Sequence, residues 1–278
     1  MDTSKSISHL LQPDNPAHKR GDGSLWFSNL ETVGWTQFRC SDVLEKLASK
    51  VLEIAALVFA LPESEKRAYY MQKIKYQSGW RDYKQEGRPT EIWQIRPVEA
   101  KECWPAHLAS ERAGILELLD QSIKEFGPEL DFLLQAYGGA PNEFYESLRR
   151  GPSVVRLLHY SAGNPTMRFA EHTDLGFATL LVAETSPGLE LITQEGMWKL
   201  AELGTNNWIL ASGDMFAIRS SGSIPSALHR VVSAPMDRLA IAIFLHLDED
   251  YPLSRDVEGN VLTADAFLNR AIQWNAAT

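Results

Sequence analysis

The feature that most constrains the fold is a change of pattern at Gly151-Pro152. Beyond it the chain consists of short segments rich in β-branched and aromatic residues, separated by Gly, Pro, Asn and Ser. These segments read SVVRLLHY, ATLLVAE, LELITQ, MWKL, NNWILAS, DMFAIRS and RLAIAIFLHLD. Several short strands at this spacing are typical of an all-β sandwich or barrel. We therefore expect a β core over residues 151–250.

The region before this boundary is patterned for helices. Ser41 is a suitable N-cap, and the apolar residues after it recur every three or four positions, which predicts a helix that ends before Pro62. Another helix is predicted over about 109–126, where Gly127-Pro128 would stop it, and a further one over about 129–149. EIWQIR is expected to form a short strand, and Thr263 a cap for a closing helix.

These patterns divide the chain into four parts. Residues 1–23 are polar and predict a loosely ordered arm, and residues 24–150 predict a mainly helical region packed on the core. Residues 151–250 are the predicted β core, and residues 251–278 carry the closing helix. No spacer rich in Ser, Gly or charge lies near residue 150, so we interpret that boundary as a change of layer and not as a linker.

Composition excludes several classes of partner. The formal net charge of −9 argues against broad binding of nucleic acids or anionic membranes, both of which favour a basic face. No apolar run approaches the ~18 residues of a membrane span. The two cysteines, Cys40 and Cys103, are far apart in sequence and are expected to be reduced thiols. Without a visible secretory signal, a cytoplasmic location is expected.

Two histidines and a carboxylate in the second half form a candidate metal site. His172 and Asp174 are two positions apart, so on an extended strand their side chains point the same way. His229 comes late enough for several strands to fold back beside the first. Two imidazoles and one carboxylate hold non-haem Fe(II) and leave coordination positions open. Chance explains a lone His-x-Asp in a chain with seven His and 36 acidic residues, so the prediction depends on the whole set.

Arg238 strengthens the interpretation. It follows His229 by about one strand length, close enough to bring a permanently charged guanidinium near the metal. Such a group binds a carboxylate through two parallel hydrogen bonds. Iron beside a carboxylate-bearing co-substrate indicates an oxygen-activating enzyme.

The same segments resemble a known family. EHTDLGFATLL, PGLELI, GMWKL, NNWILASGDMFAIRSSGSIPSALHRV and DRLAIAIFLHLD are similar to the C-terminal core of the isopenicillin N synthase-like Fe(II) dioxygenases, most of which use 2-oxoglutarate. The resemblance is dense over about 150–248 and weaker before it, where GWTQF and VLEIAALVFALPESEK resemble the entry segment and the usual first strand is not evident. It implies an α+β fold: a double-stranded β-helix (jelly-roll) core with N-terminal helices and a C-terminal helix.

The resemblance also implies roles. His172, Asp174 and His229 would ligate Fe(II), while Arg238 and Tyr160 would hold the distal carboxylate of 2-oxoglutarate. The reaction would couple O2 and 2-oxoglutarate decarboxylation to oxidation of a substrate C–H bond, with hydroxylation as the default and desaturation or ring formation as variants. Asp174 disfavours halogenation, because halogenating relatives typically have a small residue there.

Two positions depart from the family pattern. The usual Arg-x-Ser reads Arg238-Leu239-Ala240 here, and the asparagine often found two positions before the tyrosine is Leu158. Loss of the serine hydroxyl removes one hydrogen bond, about 1 kcal/mol net or roughly fivefold in affinity. An iron-dependent oxidase that does not use 2-oxoglutarate therefore stays open as an alternative.

The substrate is expected to be a small molecule. Arg168 has the same strand parity as His172 and could bind a substrate carboxylate, which would favour an amino acid or another small acid. Further candidates for the cavity wall are Phe177, Arg219 and Phe244, although residues of these types in such positions are more often structural. A role in secondary or amino-acid metabolism is expected. A catalytically idle domain that senses iron or an acid, and a zinc hydrolase, are the remaining alternatives.

Overall fold

A computed structural model describes residues 23–71, 78–83, 90–162, 167–232 and 236–277. The predicted arm over 1–23 lies outside these residues, apart from Gly23. The helices are α1 Gly23–Val33, α2 Asp42–Phe59, α3 Glu63–Lys66, α4 Ala109–Gln135, α5 Glu143–Arg150, α6 Asp214–Arg219 and α7 Ala264–Ala277. None of the described helices combines the length and apolar character that a bilayer crossing needs.

The strands form two main antiparallel sheets. The major sheet has the order β1-β9-β6-β11-β4-β3-β2, and the minor sheet the order β5-β10-β7-β8. A hairpin, β12-β13, precedes α7. The strands are β1 Trp35–Arg39, β2 Gly79–Asp82, β3 Thr90–Ile95, β4 Val154–Tyr160, β5 Met167–His172, β6 Ala178–Glu184, β7 Leu189–Ile192, β8 Trp198–Leu200, β9 Asn207–Ser212, β10 His229–Val232, β11 Arg238–Leu245, β12 Pro252–Arg255 and β13 Val261–Thr263.

The two sheets form the jelly roll that the resemblance implied, and the alternation of side chains along each strand decides what faces its interior. On β4, Val155 and Leu157 point outward into the core shared with the helices, while Leu158 and Tyr160 point into the space between the sheets. Helix α2 packs on the outer face of β4, β6 and β11, and α4 contacts α2 and β4. The helices therefore cover one side of the major sheet and leave its other side to form a site.

Helix ends follow the predicted caps at both ends of the chain. The Ser41 hydroxyl accepts a hydrogen bond from the Leu44 amide at the start of α2. The Thr263 hydroxyl accepts one from the Ala266 amide at the start of α7. Each hydroxyl satisfies one of the amides that a first helical turn leaves without a partner.

The predicted helix stop at Gly127-Pro128 is wrong, because α4 runs through both residues to Gln135. A proline inside a helix costs one backbone hydrogen bond and some distortion. Here the buried residues Phe126 and Leu130 on either side hold the helix in place. Gly127 serves close packing instead, since a Cβ at this position would lie 2.4 Å from Cδ2 of Tyr145 on α5. The separate helix expected over 129–149 is accordingly only α5, from Glu143 to Arg150.

Strands also occur in the mainly helical first half, where β1, β2 and β3 all belong to the major sheet. Strand β3 covers most of the EIWQIR segment predicted as a strand, whereas β1 was not recognisable in the sequence. DMFAIRS, predicted as a strand, forms α6. Asp214 in the first turn and Arg219 in the last turn both complement the helix dipole.

Candidate metal centre

The minor sheet brings the three predicted ligands together. His172 ends β5, Asp174 follows two residues later, and His229 begins β10 directly opposite His172 in the antiparallel register. One ligand atom from each of the three residues lies within 4.8 Å of the others. His229 Nε2 is 3.9 Å from Asp174 Oδ2. This spacing fits one ion bound by all three side chains.

Hydrogen bonds orient all three side chains. Nδ1 of His172 donates to the Ala170 carbonyl at 2.8 Å, and Nδ1 of His229 donates to the Ala227 carbonyl at 3.0 Å. A carbonyl can only accept, so each imidazole carries its proton on Nδ1 and leaves the lone pair of Nε2 for a metal. The Thr179 hydroxyl donates to Oδ2 of Asp174 at 2.5 Å.

The electrostatics favour the protonation states that a metal needs. Burial and the neighbouring His229 lower the pKa of His172, which keeps it neutral near pH 7. Burial alone would raise the pKa of Asp174, but His229 and the Thr179 hydroxyl outweigh it and hold the pKa below its ordinary value. A neutral imidazole and an ionised carboxylate are the forms that bind Fe(II).

The cluster lies in a cavity between the two sheets. The empty space between its walls, counted out to open solvent, is about 610 Å³. Besides the three candidate ligands, its walls include Arg156, Leu158, Tyr160, Phe169, Thr179, Leu189, Arg238, Ala240 and Phe244. The lining is mostly apolar, and its polar groups are the metal cluster with Thr179, the Tyr160 phenol and two arginines.

Arg238 and Tyr160 are direct neighbours across β11 and β4. The guanidinium carbon of Arg238 lies 4.6 Å from the centre of the Tyr160 ring. Its Nε and Nη2 donate to the same oxygen of Glu184, Oε2, at 2.8 and 2.5 Å, and Nε also donates to the Ser186 carbonyl at 3.0 Å. Nη1 has no hydrogen-bond partner among the described residues. A buried, unsatisfied guanidinium edge beside a cavity fits a ligand carboxylate.

Two further features shape this arginine site. Gly188 lies against the guanidinium, and a Cβ there would be 3.1 Å from Cδ and Nε of Arg238. Ala240, which replaces the expected serine, lines the cavity and pairs with Glu184 across β11 and β6. The polar partner of Arg238 is thus a carboxylate from the neighbouring strand. Nothing in the sequence pattern pointed to Glu184.

The predicted substrate residues separate into three groups. Phe244 lines the cavity. Phe177 does not, because it is fully buried between Phe144 and Phe216 at ring-centre distances of 4.4 and 4.3 Å. Arg219 also lies elsewhere, since its Nη1 donates to the Tyr137 carbonyl at the end of α6. The side chain of Arg168 lies outside the described part of the chain.

Sequence reasoning overlooked Arg156. It lies on β4 with the same parity as Leu158 and Tyr160, and it lines the cavity beyond them. Its Nε and Nη2 donate to Oε1 of Gln94 at 2.9 and 2.8 Å, and its guanidinium carbon lies 4.3 Å from the centre of the Phe244 ring. The signal was available, because positions four apart on one strand share a face and Tyr160 was already a candidate.

We expect Thr179→Val to weaken Fe(II) binding about 10- to 100-fold, the usual cost of removing a group that orients a ligand. The substitution keeps the shape of the side chain and removes the hydroxyl that holds Oδ2 of Asp174. The dissociation constant is measured without oxygen by competition with a chelator. Thr179→Ser keeps the hydroxyl and should bind as the native protein does. Unchanged binding by the valine variant would refute the orienting role.

Comparison with known proteins agrees with this geometry. The family model described as "2OG-Fe(II) oxygenase superfamily" matches residues 151–247. Homoarginine-6-hydroxylase from Arabidopsis thaliana is 27% identical over 77% of this chain and 70% of its own length. The chain spans 63% of the rice 2-oxoglutarate-dependent dioxygenase 21, at 26% identity over 72% of this chain. A full-length Neurospora crassa protein, crystallised with alpha-KG and thymine, superposes with a TM-score of 0.77 at 20% identity, over 96% of this chain and 95% of its own.

A jelly roll with this cluster in its cavity defines an oxidoreductase that uses Fe(II), 2-oxoglutarate and O2. Residues 151–247, the segment that the family model matches, belong to the 2OG-Fe(II) oxygenase superfamily. The resemblance predicted from the sequence is thereby confirmed.

Proposed function

We propose that this enzyme couples the oxidative decarboxylation of 2-oxoglutarate to oxidation of a C–H bond in a small acidic molecule. Hydroxylation is the default outcome, with desaturation and ring formation as variants that depend on substrate placement. The observation that carries the proposal is one cavity with a candidate Fe(II) triad, a guanidinium with an unsatisfied edge and a second arginine. Bound iron supplies the activation of O2.

Each polar group has a proposed task. Fe(II) would be held by Nε2 of His172, Nε2 of His229 and a carboxylate oxygen of Asp174. The carbonyl and threonine contacts keep those atoms aimed at one point. Arg238 binds the distal carboxylate of 2-oxoglutarate through its unsatisfied edge, with the Tyr160 phenol beside it. Apolar walls, including Leu158 and Leu189, exclude water from the reacting groups.

Arg156 supports an acidic substrate. The Gln94 amide holds the Nε/Nη2 edge of Arg156, and Phe244 lies under its guanidinium. A guanidinium fixed in this way is well suited to bind a carboxylate. Its charge is close enough to act on His172 and Asp174. Tyr160 lies at the end of β4 that we assign to 2-oxoglutarate. Arg156 lies four residues earlier on the same face of the strand, and we place the substrate there, within reach of the metal.

The names of similar proteins are consistent with a small substrate without specifying it. Homoarginine-6-hydroxylase is named for an amino acid, and the Neurospora crassa complex contains thymine, which has no carboxylate. We favour an amino acid or another small acid for this chain because of Arg156. The earlier candidate Arg168 remains a second proposed contact.

We expect Arg156→Met to raise KM for the acidic substrate by about 30-fold or more, from the roughly 2–5 kcal/mol that a lost charged partner costs. The dissociation constant for 2-oxoglutarate should stay within about twofold of the native value, because the proposed anchor of its distal carboxylate is Arg238 and separate sites change free energies independently to within about 0.5 kcal/mol. Arg230→Met is the matched control: Arg230 donates to Glu190 at 2.7 Å, lies 4.2 Å from the Trp198 ring centre and is outside the cavity lining. Equal losses of both ligands would refute a substrate role.

An anaerobic titration tests the proposed function directly. Fe(II)-loaded protein is titrated with 2-oxoglutarate while the visible charge-transfer band of the chelated keto acid is followed. Appearance of the band would show that 2-oxoglutarate binds at the iron. Carboxylic acids would then be screened as substrates by stoichiometric release of succinate. Absence of the band with iron bound would favour the oxidase that needs no 2-oxoglutarate and make Ala240→Ser the variant to examine. If the protein binds Fe(II) and 2-oxoglutarate but consumes no O2 with any substrate tested, a sensor domain would be favoured.

We also propose a cytoplasmic location and a role in secondary or amino-acid metabolism. Cys40 and Cys103 are not joined in a disulfide, which is the state that a reducing compartment maintains. Fractionation of the source cells tests the location.

A further inference from the structure

Glu184 is a buried carboxylate that the proposed reaction does not use. Its side chain is 2% exposed and that of Arg238 is 4% exposed. Oε2 accepts both hydrogen bonds from Arg238, whereas Oε1 has no hydrogen-bond partner among the described residues. Two buried atoms of one ion pair are therefore unsatisfied: Oε1 of Glu184 and Nη1 of Arg238.

The contacts of Glu184 decide which part of Arg238 can meet a ligand. Glu184 occupies the edge of the guanidinium formed by Nε and Nη2. Gly188 lies against Cδ, Nε and the guanidinium carbon, and the Tyr160 ring also contacts the group. The edge that contains Nη1 is the one left for a carboxylate in the cavity. Glu184 thus acts as a positioning residue for Arg238.

Binding of 2-oxoglutarate puts a second carboxylate on the same guanidinium. The buried pair is neutral before binding, so two carboxylates then share one guanidinium in a site of low dielectric. The other arginine of the cavity, Arg156, is held by Gln94 four residues along β4, at the end that we assign to the substrate. Among the described residues, the other titratable or charged groups that face Glu184 are Arg238 from β11 and Tyr160 from β4. Burial raises the pKa of the Tyr160 phenol, so it stays neutral and cannot compensate.

We propose that binding of 2-oxoglutarate is coupled to uptake of one proton from solvent by Oε1 of Glu184. This inference rests on the proposed role of Arg238 as the 2-oxoglutarate anchor. The proton neutralises Glu184, leaves Oε2 as the acceptor for Arg238 and gives the unsatisfied Oε1 a hydrogen to donate. The guanidinium charge is then available to the co-substrate. The carboxyl group of Glu184 would take over part of the task of the serine hydroxyl that Ala240 lacks.

The coupling has a definite sign. Burial already raises the pKa of Glu184 more than Arg238 lowers it, and a second carboxylate raises it further. Between the lower pKa of the free protein and the higher pKa of the complex, affinity for 2-oxoglutarate falls as pH rises, by up to about tenfold per pH unit. Affinity is constant below the first value and again above the second.

Calorimetry measures the proton directly. Fe(II)-loaded protein is titrated anaerobically with 2-oxoglutarate at neutral pH in two buffers of different ionisation enthalpy. We expect about one proton taken up per 2-oxoglutarate in the native protein and none in Glu184→Gln, whose affinity should be independent of pH. Glu190→Gln is the matched control, because Glu190 also pairs with an arginine, Arg230, but outside the cavity lining. It should take up as many protons as the native protein.

A second ligand keeps the test valid if Glu184→Gln does not fold. 2-Oxopentanoate has the keto-acid end and lacks the distal carboxylate, so it should bind without proton uptake. Native protein that binds 2-oxoglutarate without taking up a proton would overturn the inference, as would equal uptake with both ligands or in Glu184→Gln. Absence of any 2-oxoglutarate binding would instead overturn the proposed function.

Discussion

Asp174→Asn is expected to lose more than about a hundredfold in Fe(II) affinity, since loss of a group that merely orients a ligand already costs about 10- to 100-fold. The amide has no negative charge to offset the ion, and its nitrogen cannot coordinate as a carboxylate oxygen does. Turnover, measured as succinate release, should fall with iron content. Iron content after dialysis and a chelator competition measure the binding.

The control for this variant is Asp250→Asn, which removes an exposed carboxylate from the turn after β11. It should bind iron as the native protein does. A folded Asp174→Asn protein that retains iron with affinity within about tenfold of native would contradict the proposed triad. His229→Ala would then show whether the histidines bind the ion without the carboxylate.

The second large effect is expected from Arg238→Met. The dissociation constant for 2-oxoglutarate should rise about 30- to 5,000-fold, because loss of one member of a buried charge pair costs roughly 2–5 kcal/mol. The fold should also lose about 3–5 kcal/mol of stability, because Glu184 stays buried without its partner. The charge-transfer titration measures the first effect, and unfolding in urea measures the second.

A double variant separates these two effects. Arg238→Met combined with Glu184→Met removes both buried charges and should recover most of the lost stability. It should not recover 2-oxoglutarate binding, since no cation remains at that end of β4. Recovery of binding in the double variant would contradict Arg238 as the anchor. Stability equal to native in the single variant would contradict the importance of the ion pair.

The sequence alone was sufficient to predict which side chains meet at the metal cluster. His172 and Asp174 share a strand face by parity, and His229 begins a strand that lies opposite. Arg238 and Tyr160 become neighbours because β11 and β4 pair in register. These relations depend on local alternation and on the family resemblance, which together determine the order of strands. Their roles as ligands and anchor stay predictions until the titrations above are made.

Other features depend on distant contacts that local patterns do not encode. β1 is five residues long with a mixed burial pattern, and only its pairing with β9 makes it a strand. Pro128 is held inside α4 by packing of the residues around it. Arg219 resembled a candidate for the cavity, yet the backbone carbonyl of Tyr137 determines where it lies.

The ion pair of Glu184 and Arg238 shows the same limit at the site itself. The two residues are far apart in sequence, and a glutamate near the end of β6 ordinarily predicts an exposed side chain. Only the pairing of β6 with β11 brings the carboxylate to the guanidinium. Arg156, by contrast, could have been found from its parity with Tyr160 on β4.

The arrangement of the major sheet limits how this enzyme can be cut or recombined. Its outermost strands on both sides, β1 on one and β2 and β3 on the other, come from residues before 96, while the family model matches only 151–247. In a fragment confined to the matched segment, β9 and β4 would become edge strands of the sheet. Their unpaired amides and carbonyls could then pair with strands of other molecules. Residues 151–247 therefore do not form an independent folding unit. A fusion protein or domain exchange that preserves activity has to include the preceding residues that supply β1, β2 and β3.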